Sequence, residues 1–160
     1  MLKNKLKKSI FTLIIATAPI IIPANSALAG DSASIRELRA VVIKMHMDER
    51  SAAGLNEDAA EHLAKLTQKI DAQDVDEKTV IAILSLMDSP NDGVRYWVAR
   101  SLGNLGQRAK MAVPKLQKML IDVDCVQGSK TSASGIRFAL TKMGAPPPPV
   151  ACLGIKLGGG

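Results

Sequence analysis

Between Met87 and Leu120 the chain reads MDSPNDGVRYWVARSLGNLGQRAKMAVPKLQKML, and within it Val94, Val98, Leu102 and Leu105 recur at steps of four, four and three. That spacing lays one apolar stripe along an α-helix, and the stripe must be covered by other parts of the chain. Pro90, Asn91, Asp92 and Gly93 form a turn ahead of it, with Asn91 or Asp92 placed to accept from the orphan amides of the first turn, and Gly106 supplies a left-handed stop. Ala99, Ser101 and Gly103 interleave with the larger residues and let a neighbouring backbone approach to the close end of the usual range, ~8 Å between axes. Gly103 weakens the helix by roughly 1 kcal/mol relative to alanine, a cost that tight packing offsets.

The run Asp92, Val94, Arg95, Val98, Ala99, Ser101, Leu102, Gly103, Leu105, Gly106, followed by Ala112, Val113, Pro114 and Leu116, resembles the HEAT-like repeat pattern D-x-V-R-x-x-A-A-x-A-L-G-x-L-G with its following A-[VI]-P-x-L. The chain departs from that pattern where Val98 and Ser101 replace alanines. The resemblance covers one repeat. It implies that Arg95 pairs with an aspartate of the turn between helices, Asp88 or Asp92, as a structural ion pair.

Residues 1–29 read as a separate unit. Lys3, Lys5, Lys7 and Lys8 form a basic start, Ile10 to Ile22 an apolar stretch, and Ala27-Leu28-Ala29 a small-residue cleavage site, which together predict a secretory signal peptide cut before Gly30. An uncleaved anchor is the alternative, opposed by Pro19, Pro23 and Asn25. The formal charge of +6 owes four lysines to this segment, so 17 basic residues face 15 acidic ones in the remaining 131. A surface that near balance carries no electrostatic footprint for nucleic acid. The expected location is periplasmic or secreted, with no membrane contact after cleavage.

Six helices follow in sequence. Ser34 with Glu37 reads as a capping box ahead of the stripe Ile35, Leu38, Val42, Met45. Asn56, Glu57 and Asp58 open a second helix, and Asp74 with Glu77 a third whose core, Val80 to Met87, is apolar nearly all round and predicts cover on more than one side. The fourth is the helix of the opening stripe. A fifth spans roughly 110–122 with Pro114 in its early turns, and a sixth 132–143, closed by Gly144.

Setting the third helix on the fifth pairs Val80 with Val113 and Ile83 with Leu116, an offset of 33. Setting the fourth on the sixth pairs Val98 with Ile136, Leu102 with Leu140 and Gly106 with Gly144, an offset of 38, so the later unit carries a five-residue insertion in its turn. Self-similarity of two-helix units is the mark of a solenoid, and about three units are needed to bury a continuous core. The expected fold is all-α, a short right-handed α-solenoid of about three helical hairpins over residues 30–145. Pro146 to Pro149 begin a Pro/Gly-rich tail, 146–160, that cannot continue a helix.

Candidate chemistry is sparse. Cys125 and Cys152 are the only cysteines, and after export a disulfide between the inserted turn and the tail is the expected state, worth roughly 3 to 4 kcal/mol of chain entropy. Met45-His46-Met47 offers thioether and imidazole ligands for copper, but residues two apart on a helix point to nearly opposite sides, so core Met and surface His is the favoured reading. No G-x-S-x-G, H-E-x-x-H or phosphate-cradling glycine loop is present, and no catalytic residue, metal or cofactor is assigned.

Tyr96, Trp97, Arg100 and Asn104 occupy the variable positions of the repeat. Trp97, Arg100 and Asn104 fall at i, i+3 and i+7 on a face apart from the stripe, and Trp, Tyr and Arg are the types enriched where proteins bind proteins. The expected function is a non-catalytic exported helical-repeat module that binds another protein along its second helices. Two alternatives stand beside it. The first is a lyase or an accessory of one, since some HEAT-like proteins attach bilin chromophores. The second is a periplasmic copper-binding protein.

Overall fold

A computed structural model describes residues 32–49, 56–123 and 130–148. Residues 1–29, expected as a signal peptide, and Cys125, Cys152 and the end of the tail, with the disulfide expected there, lie outside the described residues. Six α-helices run as α1 (Ala33–Glu49), α2 (Glu57–Thr67), α3 (Glu77–Ser85), α4 (Asp92–Asn104), α5 (Val113–Val123) and α6 (Ser132–Lys142), with short 3-10 segments at Ala72–Asp74, Leu86–Asp88 and Gly106–Ala112. None of the described residues forms a strand, and none of their helices is long and apolar enough to cross a membrane.

The helices pair as hairpins α1/α2, α3/α4 and α5/α6, and the second members pack side by side with α4 between α2 and α6. This is the all-α solenoid that the offsets predict. Met45 of α1, Leu63 of α2, Ile83 of α3, Leu102 of α4, Leu116 of α5 and Ile136 of α6 are all buried in one contiguous core. Burial of each such side chain stabilises the fold by about 1.5 to 3 kcal/mol. Gly106 and Gly144 both sit in the left-handed region, at φ 52° and 70°, so the equivalent ends of α4 and α6 are built alike.

The α4–α6 seam is the tightest. A Cβ on Gly135 would lie 2.7 Å from the Tyr96 carbonyl oxygen, and one on Gly103 would lie 2.7 Å from the Phe138 ring and 3.0 Å from the Ala139 Cα. Glycine at both positions lets backbone meet backbone, which accounts for their cost in helix propensity.

Three local expectations need correction. The start of α1 is capped by Ser32, whose Oγ accepts from the Ile35 amide at 3.3 Å, and not by Ser34; Glu37, which no longer falls at the position a capping box requires, lies 3.4 Å from His62 instead. The third helix begins after Asp76, because Asp71 closes a separate 3-10 turn through the Gln73 amide and buried Val75 plugs the gap. The segment 106–112 is a 3-10 turn bent at Ala109 (φ −95°, ψ 15°), so α5 starts at Val113.

Asp76 ties α1 to α3. It accepts from the Thr79 amide and hydroxyl, both at 2.9 Å, and from Arg39 Nε at 3.1 Å. Burial works against its ionisation, but the Thr79 and Arg39 hydrogen bonds and the Arg39 charge outweigh it and hold the carboxyl down to about 2. A pKa depressed on folding adds stability that is present above the unfolded carboxylate value near ~3.9 and is lost as pH falls toward the folded value. Asp76→Asn keeps a capping oxygen and removes the charge, so its melting temperature is expected to fall less between pH 5 and pH 2 than that of the parent chain. Asp76→Ala, which also removes the cap, is expected to cost about 1 to 2 kcal/mol in chemical denaturation.

Candidate functional site

The apolar stripe of α4 is fully covered, and what remains is a narrow outer rim. Tyr96, Trp97, Arg100 and Asn104 all lie on it, each half-buried between α2 on one side and α6 on the other. Asn91 starts the helix by accepting from the Val94 amide at 3.2 Å.

Toward α2, the rim is tied to the fold. Trp97 packs on the core cluster and its Nε1 donates to Glu57 at 3.3 Å. Asn104 Nδ2 donates to the Ala64 carbonyl at 3.0 Å and to Thr67 Oγ1 at 3.2 Å, joining the Gln68 amide and the Thr67 hydroxyl that also donate to that carbonyl in the last turn of α2. Asn104, expected from the sequence as a partner contact, spends its Nδ2 donors inside the chain while its side chain stays half-buried on the rim. Trp97 is likewise as much a packing residue as a surface one.

Toward α6, the arrangement differs. The Arg100 guanidinium lies over the Phe138 ring at 3.7 Å from its centroid, and Lys142 Nζ sits 5.7 Å from the same centroid. Lys130 Nζ is 5.9 Å from the Trp97 ring, and Tyr96 meets Trp97 edge-on with centroids 4.8 Å apart. Cations over aromatic faces are attracted by the ring quadrupole, by about 0.5 to 1 kcal/mol at exposed sites. All three aromatic residues of the described chain are thus gathered in one strip, and two of them carry cations.

Arg95 is a fold residue. Its Nη2 donates to Asp92 Oδ1 at 2.7 Å and its Nη1 donates to the Ser89 and Pro90 carbonyls at 2.8 and 2.9 Å. Asp88 turns elsewhere, accepting from Lys115 at 2.7 Å. Asp92 also accepts from the Ser132 hydroxyl at 2.6 Å and the Ser132 amide at 3.1 Å, so one carboxylate joins the starts of α4 and α6. Burial opposes its charge, yet the Ser132 bonds and then Arg95 prevail and keep its pKa below the ordinary value. At the other end Gln107 Nε2 donates to the Met143 carbonyl at 2.7 Å, so α4 and its following turn hold both neighbours at their termini.

The Met45-His46-Met47 ligands diverge. Met45 is 0% exposed in the core and Met47 66% exposed, while His46 Nε2 donates to the Ala82 carbonyl at 2.9 Å and joins α1 to α3. Among the described residues no group of three His, Cys, Asp or Glu side chains is placed to hold a metal.

Two features escaped sequence reasoning. Phe138 stands at the position of Arg100 in the next repeat, and the offset of 38 carries the signal for that pairing, since equivalent positions of adjacent units lie side by side. The second is an open groove of ≈900 Å³ between α1 and α3, bordered by Ile43, 61% exposed, and Ile81, 49% exposed. α3 is covered on more than one side, by α1 and α4, but the cover stops at Ile81, because α1 meets α3 through Arg39–Asp76 and His46–Ala82 and leaves the outer edge open.

Residues 94–122 match the family model described as PBS lyase HEAT-like repeat. No curated protein and no solved structure matches the chain at a significant level.

Proposed function

We propose that this chain, which carries a HEAT-like repeat from α4 into α5, serves as a non-catalytic exported module that holds another protein against the face made by α2, α4 and α6. A repeat fold does not by itself fix a function, so the reading needs a site. The observation that carries it is the Arg100 guanidinium carbon 3.7 Å over the Phe138 ring, on the rim that also holds Tyr96 and Trp97. A stacked guanidinium keeps its in-plane N–H donors at the ring edge, and little further freedom is lost when a partner accepts from them. Arginine, tryptophan and tyrosine are also the residues that dominate binding energy at protein interfaces. The two rival readings have less support. The lyase reading draws on the family description alone, and the copper reading needs Met45 and Met47 on one ion.

The test is affinity capture from the envelope of producing cells, with the chain as bait. Arg100→Glu is the informative variant, because Arg100 makes no hydrogen bond to another side chain or carbonyl among the described residues beyond its own helix, whereas Trp97→Ala would also remove core packing. Captured partner is expected to fall about tenfold or more with Arg100→Glu, while helicity is kept and melting drops by only a few degrees through loss of the ring contact. Lys118→Glu, on the exposed side of α5, is the control that leaves capture intact. Undiminished capture by Arg100→Glu would remove this face from the proposal.

A further inference from the structure

The charges on this face are not evenly spread. On the α2 side, Glu57 accepts from Trp97 Nε1 and Glu61 from Lys65 at 2.7 Å, so the acidic groups there have partners within the chain. Lys130 is near enough that its charge, after the Lys65 hydrogen bond and charge, also helps keep Glu61 ionised. On the α4–α6 side the order is reversed. Arg100 and Lys142 share the Phe138 ring, and among the described residues neither has a carboxylate partner. The Phe138 ring seats the guanidinium at the α4–α6 rim, and its N–H edge meets no carboxylate among the described residues. A carboxylate fits that edge through two parallel hydrogen bonds, with Lys142 adding a second positive charge one turn further along α6.

Resting on the protein-binding reading above, we infer that the partner is recognised through an acidic segment, with Asp or Glu carboxylates seated on Arg100 and Lys142 and a side chain of the same segment covering Tyr96. The carboxylates complement the unneutralised cations. The aromatic ring beside them gives the segment apolar area that charge alone lacks. Nucleic acid fits less well, since residues 30–160 are near charge balance and Glu57 and Glu61 border the strip.

The probe is a fluorescein-labelled decapeptide of Asp and Glu around one Tyr, read by anisotropy against the purified full chain. Its Asn/Gln counterpart and a single-stranded oligonucleotide of equal charge are the comparisons. The acidic peptide is expected to bind about tenfold or more tighter than the Asn/Gln peptide, with affinity falling as salt rises. Arg100→Ala with Lys142→Ala is expected to lower that affinity by about tenfold. Arg100→Lys keeps the charge and is expected to weaken binding roughly threefold or more, because an ammonium cannot offer the paired in-plane donors. Equal binding of acidic and amide peptides overturns the inference, as does tighter binding of the oligonucleotide or an undiminished double variant. Loss of natural-partner capture with Arg100→Glu, together with indifference to the acidic peptide, would sink this inference and leave the protein-binding reading in place.

Discussion

Gly135→Ala is expected to destabilise the chain by about 2 to 3 kcal/mol, lowering its melting temperature by roughly 5 to 10 °C. Two effects oppose each other at this site. Alanine is the better helix former by roughly 1 kcal/mol. Against that, the added methyl would stand 2.7 Å from the Tyr96 carbonyl oxygen, 3.1 Å from its Cδ2 and 3.2 Å from the Ala99 Cβ. The nearest of these atoms is backbone within α4 and cannot rotate aside, so α6 must move away and open the most closely packed seam of the solenoid. Gly93→Ala is the matched control. Its methyl would meet the Glu57 carboxylate at 2.5 Å, but that group ends a flexible side chain and can swing out, so a change within about 1 kcal/mol is expected. Thermal unfolding of the two variants checks both, and an unchanged or raised melting temperature for Gly135→Ala would contradict the close approach of α4 and α6.

Asp92→Ala is expected to cost about 3 kcal/mol, because one deletion strands several donors. Buried Ser132 would lose the acceptor of its hydroxyl and its amide, and Arg95, whose side chain is 18% exposed, would lose its only carboxylate among the described residues. The carboxylate also sits at the start of α6, where negative charge is favoured by the helix dipole. Since Asp92 has its pKa depressed in the fold, its contribution is present above the unfolded value near ~3.9 and disappears on acidification below it. Asp92→Ala is therefore expected to fall well below the parent chain in denaturant midpoint at neutral pH, and the gap is expected to narrow as pH falls below the unfolded carboxylate value. A constant gap across that range would show that the charge of Asp92 plays no part.

Most of the fold was legible in the sequence, for reasons tied to single residues. Val94, Val98, Leu102 and Leu105 set the stripe of α4, Asn91 and Gly106 set its ends, and the offset to Ile136, Leu140 and Gly144 located its neighbour α6. Helix starts were less legible where two capping residues compete within three positions. Ser32 prevails over Ser34, and Asp76 prevails over Asp74 because it also gains Thr79 Oγ1 and Arg39. The rim of α4 was read correctly as a face but not in its internal ties. Whether Asn104 faces solvent or the end of α2 depends on how far α2 extends past Ala64, which the sequence of α4 alone does not encode. Arg100 and Phe138 were separable as a pair only by carrying the repeat offset through to the variable positions, where the residue types bear no likeness to each other. The open edge at Ile81 could not be read from α3 at all, since exposure there is decided by the path of α1.

The most direct measurement is site-specific photocross-linking in producing cells, with the reactive side chain placed at exposed Thr141, one position from Lys142 on α6, and in a second strain at exposed Lys118 on α5. A partner held on the α2–α4–α6 face predicts a discrete adduct from position 141, lost when Arg100→Glu is added, and none from position 118. An adduct from position 118 alone, or one from position 141 that survives Arg100→Glu, would place the partner elsewhere.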